Sequence, residues 1–221
     1  MSAKILLLIW NSTLQTLSMV FFSTLFSLVL GLPLGVLLFA TGEEEQGGII
    51  PMPLLNSVLS RIVNVLRSFP FIILMILLFP LSRLLIGTSI GTTATIVPLS
   101  IAAAPFVARI IETALKEVDP GVVQAARAMG STNFQIVRKV LIPEAMPSLV
   151  SGVALTIINL IGYSAMAGAI GGGGLGDLAI RYGYQRFRGD IMLVAVIVIL
   201  VLVEIVQIAG NRLSARLLAR R

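Results

Sequence analysis

Between Lys4 and Glu43 no residue carries a formal charge. At about 1.5 Å per residue, a helix over that stretch outruns a hydrocarbon core about 30 Å thick. Part of it must therefore lie outside the core. The polar cluster Asn11, Ser12, Thr13, Gln15 and Thr16 assigns residues 5–10 to an interfacial piece and puts the first span at about 14–40, with tilt. The short apolar run after Lys4 is a poor secretory signal, because no small-x-small site closes it and a longer apolar segment follows. The N-terminus is read as retained.

The rest of the chain is of the same kind. Hydrophobic residues make up 57% and charged residues 12%, about half the charged share of a soluble domain, which excludes an ordinary water-soluble fold. The chain has no cysteine and no histidine. Disulfides, zinc sites built on thiolate or imidazole, and Cys or His nucleophiles are thereby excluded, and no metal or catalytic site is expected.

Further spans are expected at about 59–81, with Pro70 inside, and at 91–115, interrupted by Pro98 and Pro105 and carrying Arg109 and Glu112 near its end. Two more follow at 147–170 and 191–209. A loop from Glu43 to Gly48, followed by Pro51 and Pro53, ends the first span. Five spans put the termini on opposite sides. With the N-terminus outside, ten basic residues face inward, namely Arg61, Arg67, Lys116, Arg127, Arg138, Lys139, Arg212, Arg216, Arg220 and Arg221. Five then face outward, which favours a cytoplasmic C-terminus. The net charge of +6 thus marks a membrane face; no basic block with interleaved aromatics calls for nucleic acid.

The polar stretch at about 116–144 is organised. Asp119 caps a short helix with Pro120 at its first position, and Gly130 ends it in a left-handed cap. A second helical run starts at Ser131, carries Phe134, Val137, Val140 and Leu141 at helical spacing, and is broken by Pro143. Ala125 and Ala126 leave the first helix slim enough for a partner surface to approach closely. Spacing alone leaves open whether this loop lies on the membrane surface or docks a protein.

The order Gln124-Ala125-Ala126, Gly130, Val140 and Ile142-Pro143 resembles the EAA loop of the permease subunits of bacterial ABC importers. Gln124 stands where that pattern has Glu, Val140 where it has Ile and Ile142 where it has Leu. The segments 67–74 (RSFPFIIL), 86–91 (IGTSIG), 103–109 (AAPFVAR), 135–139 (QIVRK) and 162–166 (GYSAM) are similar to the methionine-uptake branch of that family. The resemblance implies an all-α membrane protein with five transmembrane helices of the type I ABC importer permease kind. It implies a single permease domain over 1–221, working as a homodimer in the bacterial inner membrane. It also implies two ATP-binding cassette ATPase subunits, which bind ATP and Mg, and an extracytoplasmic methionine-binding lipoprotein. No cofactor is assigned to this chain. Asp119, Gln124, Ala125, Ala126, Met129, Gly130 and Pro143 would then couple the permease to the ATPase.

The chain lacks a G-x-x-x-x-G-K-[ST] phosphate loop, so no nucleotide hydrolysis is assigned to it. The glycine run at 171–176 has no lysine and reads as a flexible outer turn. Tyr163 and Met166 lie three apart on one helical face beside Gly162 and Ser164, and small residues around them would let two such helices meet. A methionine there suits a gate, because its thioether repacks readily and stops ions. Pro70 is a further pathway candidate, since a helix break often lines a transport route. Arg109 and Glu112 are placed to pair locally, and Glu204 is expected to meet Arg109, Arg61 or Arg67 from another helix. Competing readings are a permease for another small amino acid or solute and a secondary transporter. The latter would require coupling-ion chemistry and repeated spans, and the sequence has neither a carboxylate pair nor a repeat.

Overall fold

The computed structural model describes residues 3–43 and 48–219, and every regular element among them is helical. In chain order the helices are α1 (Ala3–Ala40), α2 (Pro53–Ser68), α3 (Phe71–Leu77), α4 (Phe79–Ile86) and α5 (Thr92–Lys116). They continue as α6 (Pro120–Ala128), α7 (Asn133–Ile136), α8 (Ile142–Gly168), α9 (Gly174–Leu178) and α10 (Gly189–Leu218). Two π-helical turns, Val137–Leu141 and Ala179–Tyr184, join α7 to α8 and extend α9. Four stretches are long and apolar enough to cross a membrane: α1, α5, Asn133–Gly168 and α10. The broken pair α2 and α3 makes a fifth if it counts as one span.

Several expectations need correction. Residues 5–10, assigned to the interface, belong to the same unbroken helix as the span, for α1 runs through them over 38 residues. Its polar cluster is absorbed rather than helix-breaking. Thr13 Oγ1 donates back to the Ile9 carbonyl at 2.8 Å, while Gln15 and Thr16 accept backbone N–H groups from residues 174 and 175. The second span, expected at about 59–81 with a break at Pro70, is indeed interrupted at Phe69 and Pro70, whereas the third, expected to be interrupted by Pro98 and Pro105, runs unbroken as α5. Pro70 has extended backbone (φ −60°, ψ 124°) and opens α3 instead of kinking a longer helix. Its ring and missing N–H cannot continue the ladder of α2.

Pro143, expected to break a helix, sits in the first turn of α8, and helix continues through it. The preceding π turn provides the reason. Ile142 N–H reaches the Val137 carbonyl, five residues back, so the ladder is already widened where the proline's N–H is missing. Of the loop expected at 43–48, residues 44–47 lie outside the described residues, as do Arg220 and Arg221 of the tail.

The Cα framework divides into two compact units. The first comprises Met1–Ser27, Phe69–Ala103 and Leu155–Ile208. Its cores gather Met19, Val20, Leu99, Leu160 and Ile161 in one cluster and Ile9, Leu175, Leu178, Ile191 and Ala195 in another. The second unit comprises Leu28–Ser68, Ala104–Ala154 and Ala209–Arg221. Phe39, Val107, Ile111, Leu115, Ile136 and Leu141 form its main core, and Leu38, Val63 and Ala108 a smaller one. Many apolar side chains of α1 and α10 remain exposed, among them Phe21, Leu25, Val29, Leu200, Val201 and Ile205. Faces of that composition on such long helices suit lipid and partner helices rather than water.

Candidate coupling loop and pathway face

In the second unit, α6 is specified at both ends. The Asp119 carboxylate accepts the Gly121 N–H at 2.7 Å, and Pro120 occupies the first helical position, where an N–H would be orphaned. Gly130 follows the helix with φ +81°, a left-handed conformation in which a side chain costs about 1 kcal/mol or more. Thr132 then opens α7 with a reciprocal box: its hydroxyl accepts the Gln135 N–H at 3.3 Å, and the Gln135 side chain accepts the Thr132 N–H at 2.9 Å.

The adjacent alanines Ala125 and Ala126 of α6 face different ways. Ala126 is 3% exposed and packs with Val123 among Phe39, Ile111, Leu115, Ile136 and Leu141. Gln124 and Ala125 are exposed, and Met129 is 80% exposed. One side of α6 is thus cemented to the chain's own core while the other offers a small residue and a bare thioether. Pro143 is exposed at the start of α8, directly after the loop. Arg127 donates to the Ile49 carbonyl at 3.0 Å and the Gly48 carbonyl at 3.4 Å, which ties α6 to the segment after the first span.

Behind this loop, α5 carries a charge network. Glu112 receives Arg109 at 2.6 Å and Lys116 at 3.0 Å, with its carboxylate 4% exposed. Arg109 also donates to the Asn64 side-chain carbonyl at 2.9 Å. The local pair expected from three-residue spacing is present, enlarged by Lys116 and Asn64. Glu204, by contrast, is exposed on α10 and pairs with no cation among the described residues.

In the first unit, Leu155, Gly162 and Met166 form an exposed stripe along α8, and Ala169 is exposed just past its end. Met166 is 47% exposed, and an added Cβ at Gly162 would meet nothing within 4 Å. Tyr163 is half-buried and stacks on Phe71, with centroids 4.5 Å apart and ring planes 7° from parallel. Pro70 therefore acts by starting the short helix that delivers Phe71 to this ring. Ser164 does not join the exposed stripe. It is buried, and its hydroxyl donates to the Ile161 carbonyl at 2.7 Å, because two residues of helix turn it about 200° from Met166.

The glycine run is a built turn rather than a loose one. Gly91 N–H donates to the Gly171 carbonyl at 3.0 Å. Gly174 and Leu175 donate to Gln15 and Thr16 at 2.9 Å each. Gly174 has φ +79°, and a Cβ there would fall 2.6 Å from Thr16 Oγ1. The left-handed backbone and the close approach both require glycine. Composition alone suggests flexibility in such a run; the partners in α1 lie 159 residues away and left no local signal.

These features define a class: a helical membrane protein with several apolar spans, in which a folded polar helix–turn–helix segment stands between two of the spans and presents one face outward. The family model described as a binding-protein-dependent transport system inner membrane component matches residues 31–219. The chain is 50% identical over 209 residues to the probable D-methionine transport system permease protein MetI of Vibrio cholerae, covering 95% of this chain and 92% of that protein. It is 48% identical over 206 residues to the methionine import system permease protein MetP of Bacillus subtilis, covering 93% and 91%. Among solved structures, the MetNI methionine ABC transporter in an inward-facing conformation aligns at a TM-score of 0.95 and 46% identity, over 98% of this chain and 99% of that one. An amino acid ABC transporter, 22% identical with a TM-score of 0.72, shares the fold. The chain belongs to the family of binding-protein-dependent transport system inner membrane components.

Proposed function

We propose that this chain forms the translocation pathway of an ATP-driven methionine importer and works as a homodimer. Two separate ATP-binding cassette subunits would hold ATP and Mg, and an extracytoplasmic methionine-binding protein would deliver substrate. In this reading α2 and α3 count as one broken span, giving five, with the N-terminus outside and the C-terminus cytoplasmic; the basic residues at 116–139 and 212–221 support that orientation.

The observation that carries the proposal is the two-faced α6. A helix packed through Val123 and Ala126 while Ala125 and Met129 stay bare is built to receive force from outside and pass it into the core on which it sits. That core includes Leu141, at the threshold of α8, and α8 carries Tyr163 and Met166 farther along. Movement of the ATPase subunits would reach the gate through this one helix. Asp119, Gly130 and Pro143 fix the geometry of the loop, and Gln124 offers an amide where related loops carry a carboxylate. Methionine is chosen over other solutes on the strength of the relatives that carry methionine transport in their names.

Co-purification tests the division of labour. A stoichiometric ATPase subunit should accompany the tagged chain from membranes. Its absence would favour a secondary transporter.

A further inference from the structure

The first unit contains a groove of about 240 Å³ between the N-terminal half of α1 and the α9 region. Lys4, Leu7, Asn11 and Ser12 supply one wall at successive turns of α1; Asp177 and Arg181 supply the other. Arg181 and Asp177 pair at 2.9 Å, so two cations and one anion leave the groove with an excess positive charge. Among the described residues nothing pairs with the Lys4 ammonium, and the Asn11 amide has no hydrogen bond. These are donors set around a concavity, at the end of an otherwise apolar helix, that the function proposed above does not use.

The surroundings say what kind of anion fits. Leu7, which lines the groove, is 63% exposed, and Leu6, Trp10 and Leu14 continue the same bare apolar surface along α1. Trp10 is 62% exposed and lies one residue before Asn11. An exposed tryptophan on a spanning helix marks the headgroup level of a bilayer, so the groove opens at the depth where phosphodiesters lie. Lys4 can snorkel to that level, and charge-assisted hydrogen bonds from ammonium and guanidinium suit phosphate oxygens. The geometry points to a binding site for an anionic phospholipid such as phosphatidylglycerol. Its phosphodiester lies between Lys4 and Arg181, its glycerol ester oxygens accept from Asn11 and Ser12 deeper along α1, and its acyl chains run along Leu14 toward the core. The inference rests on the membrane placement of the chain and is independent of the cargo.

The test uses the full permease–ATPase complex, purified in mild detergent, with lipid retention read by native mass spectrometry and thermal stability read on titration. Phosphatidylglycerol should be retained and should raise the melting temperature; phosphatidylethanolamine should do so less, and inorganic phosphate not at all. Each basic residue near a membrane surface is worth about 1 kcal/mol, so Lys4→Gln should weaken phosphatidylglycerol binding about fivefold, with Lys4→Arg restoring it. Arg181→Gln should act in the same direction; because it also breaks the pair with Asp177, Lys4→Gln is the decisive variant. Unchanged retention in Lys4→Gln overturns the site. Equal stabilisation by inorganic phosphate overturns the lipid assignment. A Lys4→Gln complex that keeps its lipid but loses stimulation by the binding protein would assign the groove to protein docking instead. Methionine-dependent ATP hydrolysis should persist in the variant, which separates failure of this site from failure of the transport reading.

Discussion

Tyr163 of α8 lies flat against Phe71 of α3, ring centroids 4.5 Å apart and planes within 7°. The stack joins the helix opened by Pro70 to the helix that carries Met166. Aromatic pairs contribute about 0.5–1.5 kcal/mol beyond their buried area. Tyr163→Ala should therefore lower the melting temperature of the complex by a few degrees and raise its basal ATP hydrolysis, while Tyr163→Phe should leave both near wild type. Equal behaviour of the two variants in a thermal melt and an ATPase assay would remove the stack from the account.

Met166 stands exposed on a stripe with Gly162, where the chain itself offers no contact to an added Cβ. If two copies meet there, Met166→Ala opens the seal. Solute leak into vesicles or basal ATP hydrolysis should rise severalfold, with little change in stability, since a half-exposed side chain loses little packing. Wild-type values for both would count against the gate.

The split of the adjacent alanines gives opposite expectations. Ala126→Leu forces volume into the core beside Ile136 and Leu141 and should cost about 1–3 kcal/mol in the stability of the chain. Ala125→Glu lies outside that core and should leave stability within about 0.5 kcal/mol while weakening association with the ATPase. Co-purification and thermal melts of both variants check this; reversal of the pattern would mean the wrong face of α6 has been assigned to the partner.

Two left-handed glycines should respond unequally to alanine. Gly130 has open space around its missing Cβ, so Gly130→Ala carries only the backbone penalty of about 1–2 kcal/mol. Gly174→Ala adds a collision with Thr16 Oγ1 at 2.6 Å and Met19 Cε at 2.8 Å, and should reduce the folded yield far more. Expression and melting temperature of the two variants decide it.

Much of this fold was legible because its signals are local. The charge-free runs marked the long helices, and Asp119, Pro120 and Gly130 delimited α6 to within a residue. What escaped depends on residues far apart in sequence. Nothing near Gly174 announces that Gln15 and Thr16 bind its turn, and nothing near Ala126 distinguishes it from Ala125 until Phe39 and Leu141 are brought beside it. Pro143 misled for a different reason. Proline breaks a regular ladder, but a π turn just before it had already shifted the hydrogen bonding. At the pathway, three-residue spacing put Tyr163 and Met166 on one face, but it could not show that Tyr163 is half-buried against Phe71 while Met166 stays exposed, nor that Ser164 turns inward to its own helix.

In the function proposed for it, this chain couples ATP hydrolysis by its partners to methionine uptake through α6. The most direct measurement is ATP hydrolysis by the complex reconstituted in lipid vesicles with its binding protein, with and without methionine, for wild type and Ala125→Glu. Methionine-dependent stimulation and vesicle uptake should appear in wild type, and both should be lost in the variant although the permease remains folded. Hydrolysis indifferent to methionine, or uptake that survives in the variant, would contradict it.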